Sequence, residues 1–151
     1  MTVFPLIEAM DPKNIIAYKL VRDATHFTGG HHVKSLDKLN RDLSKVIVVD
    51  WNAHNVQFHP ENLLKIKRWE GSDEDLSLVD LSLFLKTIVD NNIEDVREVL
   101  HYYSKYDDPI DAFREKHKKL MELLEAQGAA KKEQEAKPRP WVPTIFSRRQ
   151  F

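Results

Sequence analysis

Val46-Ile47-Val48-Val49-Asp50 sets four aliphatic residues in a row and closes them with a carboxylate. A run without alternation reads as a strand buried on both faces, the habit of parallel sheets. An acidic residue at the carboxyl end of such a strand stands where open α/β folds place ligands. Upstream, Ile15-Ile16-Ala17-Tyr18-Lys19-Leu20-Val21 is rich in β-formers and predicts a strand. In His26-Phe27-Thr28-Gly29-Gly30-His31-His32-Val33 a glycine pair joins two β-prone runs. That predicts a hairpin, because glycine takes the positive φ a tight turn needs. Short strands are predicted at residues 56–58 and 63–66. The fold class is therefore α/β, a parallel sheet with a β-hairpin.

Helices fill the remainder. Residues 2–10 predict a helix stopped at Asp11-Pro12, since proline disfavours helical geometry in the residue before it. Residues 35–39 predict a helical turn. Ser72 is a good N-cap, and Asp73, Glu74 and Asp75 suit the dipole of a first turn. That helix is predicted to run to about residue 89. Leu76, Val79, Leu83 and Phe84 are its expected inward residues, and it is apolar over more than half its circumference. Asn92 is expected to cap a second helix over residues 93–104, with Val96, Val99, Leu100 and Tyr103 inward. After Asp107-Asp108-Pro109 comes a long charged helix with a seam at Ile110, Phe113, His117, Leu120 and Leu124. The seam is too short for a coiled coil and is expected to pack back on the domain. The expected division is a main domain over 1–106, a charged helical extension over 107–137 and a disordered, proline-rich tail over 138–151.

Composition narrows the function classes. The chain has 151 residues and no cysteine, which excludes a disulfide scaffold and a thiolate metal site. Its longest charge-free stretches, 24–33 and 51–60, fall well short of the roughly 18 apolar residues a membrane span needs. The first ten residues carry Glu8 and no Lys or Arg, the wrong sign for a leader peptide. Charge is uneven: net +3 over 1–68, net −9 over 69–111 and net +5 over 112–151. The balance does not suit a nucleic-acid-binding domain, which would be basic throughout.

Few groups are arranged for chemistry. Asp50 is a candidate ligand or hydrogen-bond organiser by its place at a strand end. His26, His31 and His32 surround the hairpin, but adjacent strand residues point to opposite faces, which argues against a shared metal. Asp73-Glu74-Asp75-Leu76-Ser77 matches the Asp-x-Asp-x-Thr/Ser nucleophile motif of aspartate-based phosphatases in letters. That motif must follow a buried strand, and here it opens a helix, so it reads as N-terminal helix charge. No glycine-rich phosphate loop or His-Glu-x-x-His is present.

An ordered set of motifs carries a resemblance. It comprises Leu20-Val21-Arg22-Asp23, Gly30-His31-His32-Val33-Lys34-Ser35-Leu36 and Leu39-Asn40-Arg41-Asp42-Leu43. Val46-Ile47-Val48-Val49-Asp50, Phe58-His59-Pro60-Glu61-Asn62 and Trp69 follow. The set resembles the second half of the haloacid-dehalogenase-type domain of small C-terminal-domain phosphatases. Within that group it most resembles the presequence-receptor family of the mitochondrial inner-membrane import translocase, over about residues 1–125. The resemblance implies that Lys34 is the lysine that neutralises phosphate charge and Asp50 the late metal-binding aspartate. Trp51 departs from the asparagine usual at that position. It implies, too, that residues 1–106 are a partial phosphatase-like domain whose first strand and nucleophile lie upstream of Met1. Met1 would then be internal, with leader and anchor also upstream, and this chain alone would lack catalysis.

The implied function is a receptor on the intermembrane-space side of the mitochondrial inner membrane. It binds presequence-bearing precursors and hands them to the channel, with other translocase subunits as partners and no nucleic acid or cofactor. The alternatives are the C-terminal half of a Mg-dependent aspartate-based phosphatase, or a nonfunctional fragment. Presequences are basic amphipathic helices, so negative potential beside apolar contacts is wanted. Trp69, Glu70, Asp73, Glu74, Asp75 and Tyr102, in the acidic window, are the expected contacts.

Overall fold

The computed structural model describes residues 3–136, with side chains through residue 129. The chain divides into two compact units, Met1–Arg114 and Glu115–Phe151. The first unit is built on two small sheets. Strands β1 (His26–Thr28) and β2 (His31–Val33) pair antiparallel, with His26 opposite Val33. Gly29 and Gly30 form the turn at φ of 56° and 80°, a pair of positive values that side-chain-bearing residues resist. Strands β3 (Val48–Asp50) and β4 (Leu63–Lys65) pair in parallel, with Asp50 opposite Lys65. The α/β class, the hairpin and the parallel pair are as the sequence predicts.

Three predicted strand features change. Residues 15–21 form no strand, and among the described residues no other strand pairs with them. The Asp11 carboxylate instead accepts the Ile15 and Ile16 N–H groups, each at 2.8 Å, and Ile15 stays 78% exposed. Residues 56–58 are not a strand either. Val56 ends a 3-10 turn, Ala53–Val56, and its side chain is fully buried. Its β-branched shape serves packing there, not pairing. Finally, β3 begins only at Val48, because Val46 closes the preceding turn by donating to the Leu43 carbonyl at 3.3 Å. Val46, Ile47, Val48 and Val49 are all half-buried, so the expected burial on both faces is only partly realised.

Four helices complete the described residues. Helix α1 spans Phe4–Met10 and ends at Asp11, before Pro12. Helix α2 (Ser77–Asp90) starts later than the sequence suggests. The Ser72 hydroxyl accepts from Glu74 N at 3.2 Å and Asp75 Oδ1 from Ser77 N at 2.7 Å. These short-range bonds hold residues 72–76 in turns, so the three acids precede the helix. Its buried residues are Phe84 and Ile88, while Leu76, Val79 and Leu83 face outward. Of the four expected inward residues, only Phe84 is inside. Helix α3 (Val96–Tyr103) is capped by Asp95, whose side chain accepts from Arg97 N at 2.9 Å. Asn92 does not cap it: it turns the chain at φ 50°.

Helix α4 (Pro109–Ala136) begins in the first unit and continues in the second. Asp108 Oδ1 accepts from Ile110 N and Asp111 N, both at 3.1 Å. Ile110 and Phe113 join Leu64, Phe84, Ile88, Val96 and Leu100 in one core. Phe84 meets Tyr103 and Phe113 edge to face, with centroids 5.5 and 5.1 Å away. In the second unit Leu120 and Leu124, expected in the seam, are exposed. The predicted disordered tail lies outside the described residues. Among those described, no helix is long and apolar enough to cross a membrane.

Candidate functional site

Lys34 and Asp50 meet where the two sheets end. Lys34 follows β2, and its backbone N–H donates to the Asn55 carbonyl at 2.7 Å. This bond lays the hairpin's exit against the 3-10 turn that follows β3. The side chain then reaches the strand end: Lys34 Nζ is 2.7 Å from Asp50 Oδ2. Asp50 is only 6% exposed, whereas the Lys34 side chain remains half in solvent.

The Asp50 carboxylate is fully engaged. Asn52 N donates to Oδ1 at 2.8 Å, and Asn55 Nδ2 lies 3.2 Å from both oxygens. Burial alone would push this carboxyl up. The hydrogen bonds from Lys34, Asn52 and Asn55, with the Lys34 charge, outweigh it and hold the group below its ordinary value. Asp50 therefore stays ionised at neutral pH. Sequence reading does not single out Asn55, because its role depends on the turn Ala53–Val56, which no sequence signal predicts.

A divalent cation of the phosphatase type needs free carboxylate lone pairs and a near-octahedral oxygen shell. Both Asp50 oxygens are already taken, and an ammonium neutralises their charge. Among the described residues, no group of three or more His, Asp or Glu side chains converges to hold a metal. The residues present do not fit such an ion.

Beside Lys34 opens a cavity of about 590 Å³, walled by apolar groups including Leu20, Leu36, Leu39 and Val48. The histidines near the hairpin have separate partners. His32 Nδ1 lies 2.7 Å from Thr25 Oγ1, and the His26 ring meets Phe58 at 5.7 Å. Trp51, the departure from the phosphatase pattern, lies beneath Arg68, whose guanidinium carbon is 5.1 Å from the ring centre.

A further organiser is Asn62, fully buried after β3. Its Nδ2 donates to the Leu43 and Val46 carbonyls, both at 2.7 Å. It locks the approach to β3 against the turn Pro60–Asn62. The sequence offered only a hint, the position of Asn62 within the Phe58-His59-Pro60-Glu61-Asn62 motif.

The expected presequence contacts fall in two places. Trp69, Glu70, Asp73, Glu74 and Asp75 share one exposed loop between β4 and α2. Trp69 is 68% exposed, with its indole Nε1 donating to the Ser72 carbonyl at 3.3 Å. Asp75 is held below the usual carboxylate range by its bonds to Ser77. Tyr102 stands apart on α3, in an aromatic cluster with Tyr103 and Tyr106.

A family model described as "NLI interacting factor-like phosphatase" matches residues 1–97. A Drosophila melanogaster protein, "Mitochondrial import inner membrane translocase subunit TIM50-B", is 51% identical over 94% of this chain and 34% of its own length. The Caenorhabditis elegans translocase subunit TIM50 is 54% identical over 76% of the chain and 25% of its own length. The Homo sapiens protein of that name is 43% identical over 98% of the chain and 42% of its own length. The chain thus spans between a quarter and about two-fifths of these curated relatives.

Proposed function

The chain belongs to the NLI interacting factor-like phosphatase family, and we propose that within it the chain serves protein import and not phosphate chemistry. It forms part of a receptor of the mitochondrial inner-membrane presequence translocase. That receptor binds presequence-bearing precursors on the intermembrane-space side and passes them to the channel, in contact with other translocase subunits. The observation that carries this reading is the state of Asp50. A carboxylate buried and bound by Lys34, Asn52 and Asn55 acts as a structural tie between the sheet ends. The names of relatives at 43–54% identity support the same direction.

In this reading residues 1–106 are the phosphatase-like part and residues 107–137 a charged helical extension. Lys34 and Asp50 are phosphatase-motif remnants, and the loop carrying Trp69, Glu70, Asp73, Glu74 and Asp75 contributes to presequence binding. The test is import into mitochondria from cells depleted of the gene product. Import of a presequence-bearing precursor is expected to slow and to recover on re-expression, while outer-membrane insertion is unchanged. Unimpaired import overturns the proposal.

A second reading, one half of a phosphatase, draws on the retained Lys34–Asp50 pair. It requires aryl-phosphate hydrolysis by the protein that Asp50→Asn abolishes. The receptor reading expects import to tolerate loss of any such activity.

A further inference from the structure

Helix α2 turns an apolar stripe to solvent. Leu76, Val79 and Leu83 follow at spacings of three and four, which places them on one helical face. They are 60%, 64% and 37% exposed. The helix buries Phe84 and Ile88 on a different face, so the stripe takes no part in that core. Immediately before it lies the loop with exposed Glu70, Asp73, Glu74 and Asp75. Asp80 and Asp90, elsewhere on α2, are already engaged by Arg114 and Lys86. The negative field beside the stripe therefore comes from the loop.

Other exposed apolar stretches differ in charge. The one including Ile15, Tyr18 and Leu20 is interspersed with Lys13, Lys19 and Arg22. The one at Leu120, Met121 and Leu124 mixes Lys116, Lys118 and Lys119 with Glu115, Glu122 and Glu125 and so carries no net charge. Neither setting offers a net negative field to a cationic ligand. Among the described residues, the α2 stripe alone directly follows three consecutive carboxylates, Asp73, Glu74 and Asp75.

We infer that Leu76, Val79 and Leu83, with Asp73, Glu74 and Asp75 at their N-terminal end, form a docking surface for a basic amphipathic helix. The ligand's apolar face lies on the stripe and its Lys and Arg residues face the loop. Trp69 supplies an additional aromatic contact from that loop. This inference rests on the receptor reading above and gives it a surface, replacing Tyr102 with the outward face of α2.

The test uses the full chain and a fluorescent synthetic peptide of about 18 residues, with Lys and Arg on one helical face and Leu on the other. A diazirine group on the Leu face allows cross-linking. The peptide is expected to bind, more weakly as salt rises from about 50 to about 250 mM. Replacing Leu76, Val79 and Leu83 together by Ser is expected to weaken binding roughly tenfold. The triple change Asp73→Asn, Glu74→Gln, Asp75→Asn is expected to weaken it and flatten the salt dependence. Asn at 75 keeps the acceptor for Ser77 N, so the turn survives. Ile15→Ser with Tyr18→Ser is the control and leaves binding unchanged. Cross-links are expected within residues 69–83, a readout on the unaltered chain that does not depend on any variant folding. If the peptide binds but cross-links elsewhere, or binds the Ser variant equally, the surface is wrong and the receptor reading stands. If the peptide does not bind at low salt, the receptor reading fails and the surface with it.

Discussion

Lys34 Nζ and Asp50 Oδ2 are 2.7 Å apart, an ion pair between one residue half in water and another almost wholly buried. The asymmetry decides what each contributes. Lys34 can be solvated without its partner, so its own attraction is screened. Asp50 cannot. Lys34→Met keeps the aliphatic stem and leaves the carboxylate with Asn52 and Asn55 alone. The expected loss is about 1–3 kcal/mol, the cost of an under-satisfied buried group. Asp50 is held below its ordinary value of 3.8. Stability from its ionised form is therefore full above that value and lost as pH falls through the lower, folded value. Urea unfolding at neutral pH should separate the two proteins, and the gap should shrink in acid. A gap that does not change with pH would assign the loss to packing of the lysine stem.

Asn62 makes a sharper test, because its Nδ2 serves two carbonyls, of Leu43 and Val46, with no exposure to water. Asn62→Ala orphans the Val46 carbonyl, leaves the Leu43 carbonyl with only the longer bond from Val46 N, and opens a small void. A loss of about 2–4 kcal/mol is expected from those terms together. Asn62→Asp is expected to be worse at neutral pH, since a carboxylate would face two carbonyl oxygens. It should recover partly in acid, where the protonated group donates once. Thermal melts of the two variants at both pH values check the order.

The sequence was legible where local chemistry decides. The Gly29-Gly30 pair takes the positive φ values a turn needs, and the aliphatic run before Asp50 supplies the half-buried strand β3 from Val48 on. It was illegible where neighbours decide. Residues 15–21 have the composition of a strand, but β-propensity measures fit to an adjoining strand, and among the described residues none adjoins them. Helix α2 is apolar around most of its circumference, so periodicity could not tell Phe84 and Ile88 from Leu76 and Val79. The Lys34–Asp50 pair was found through the joint motif pattern. Asn55 and Asn62 escaped because their value lies in which backbone groups pass beside them.

Asp95 opens α3 with a side-chain acceptor for Arg97 N and a bidentate grip on the Arg97 guanidinium. Its side-chain and backbone bonds to Arg97 lower its carboxyl to about 2. The folded value is depressed, so this stabilisation is complete above the ordinary 3.8 and is lost as pH falls toward 2. Helix α3 should keep its cap at pH 5. Asp95→Asn retains the cap acceptor and loses the ion pair, whereas Asp95→Ala loses both. Hydrogen exchange at the amides of Arg97 and Glu98 should rise modestly for Asn and strongly for Ala. Equal rises would show that the charge, and not the cap, holds the first turn.

The first unit extends to Arg114. Charge and the Asp107-Asp108-Pro109 break suggest a boundary at residue 106, yet Ile110 and Phe113 are buried in the same core as Phe84. Phe113 meets Phe84 edge to face, and both rings contact Tyr103. Cutting at 106 removes both side chains. Losing an aromatic from a core costs about 3–5 kcal/mol, and losing an aliphatic about 2–5. That sum rivals the whole stability of about 5–15 kcal/mol typical of a domain. It also takes Asp108, which is 3.2 Å from Lys67, and Arg114, which reaches Asp80. A chain of residues 1–114 is expected to melt as cooperatively as the full chain. A chain of residues 1–106 is expected to lose near-ultraviolet dichroism and bind a hydrophobic dye. If the shorter chain melts sharply at an unchanged temperature, the first turns of α4 are peripheral to the core.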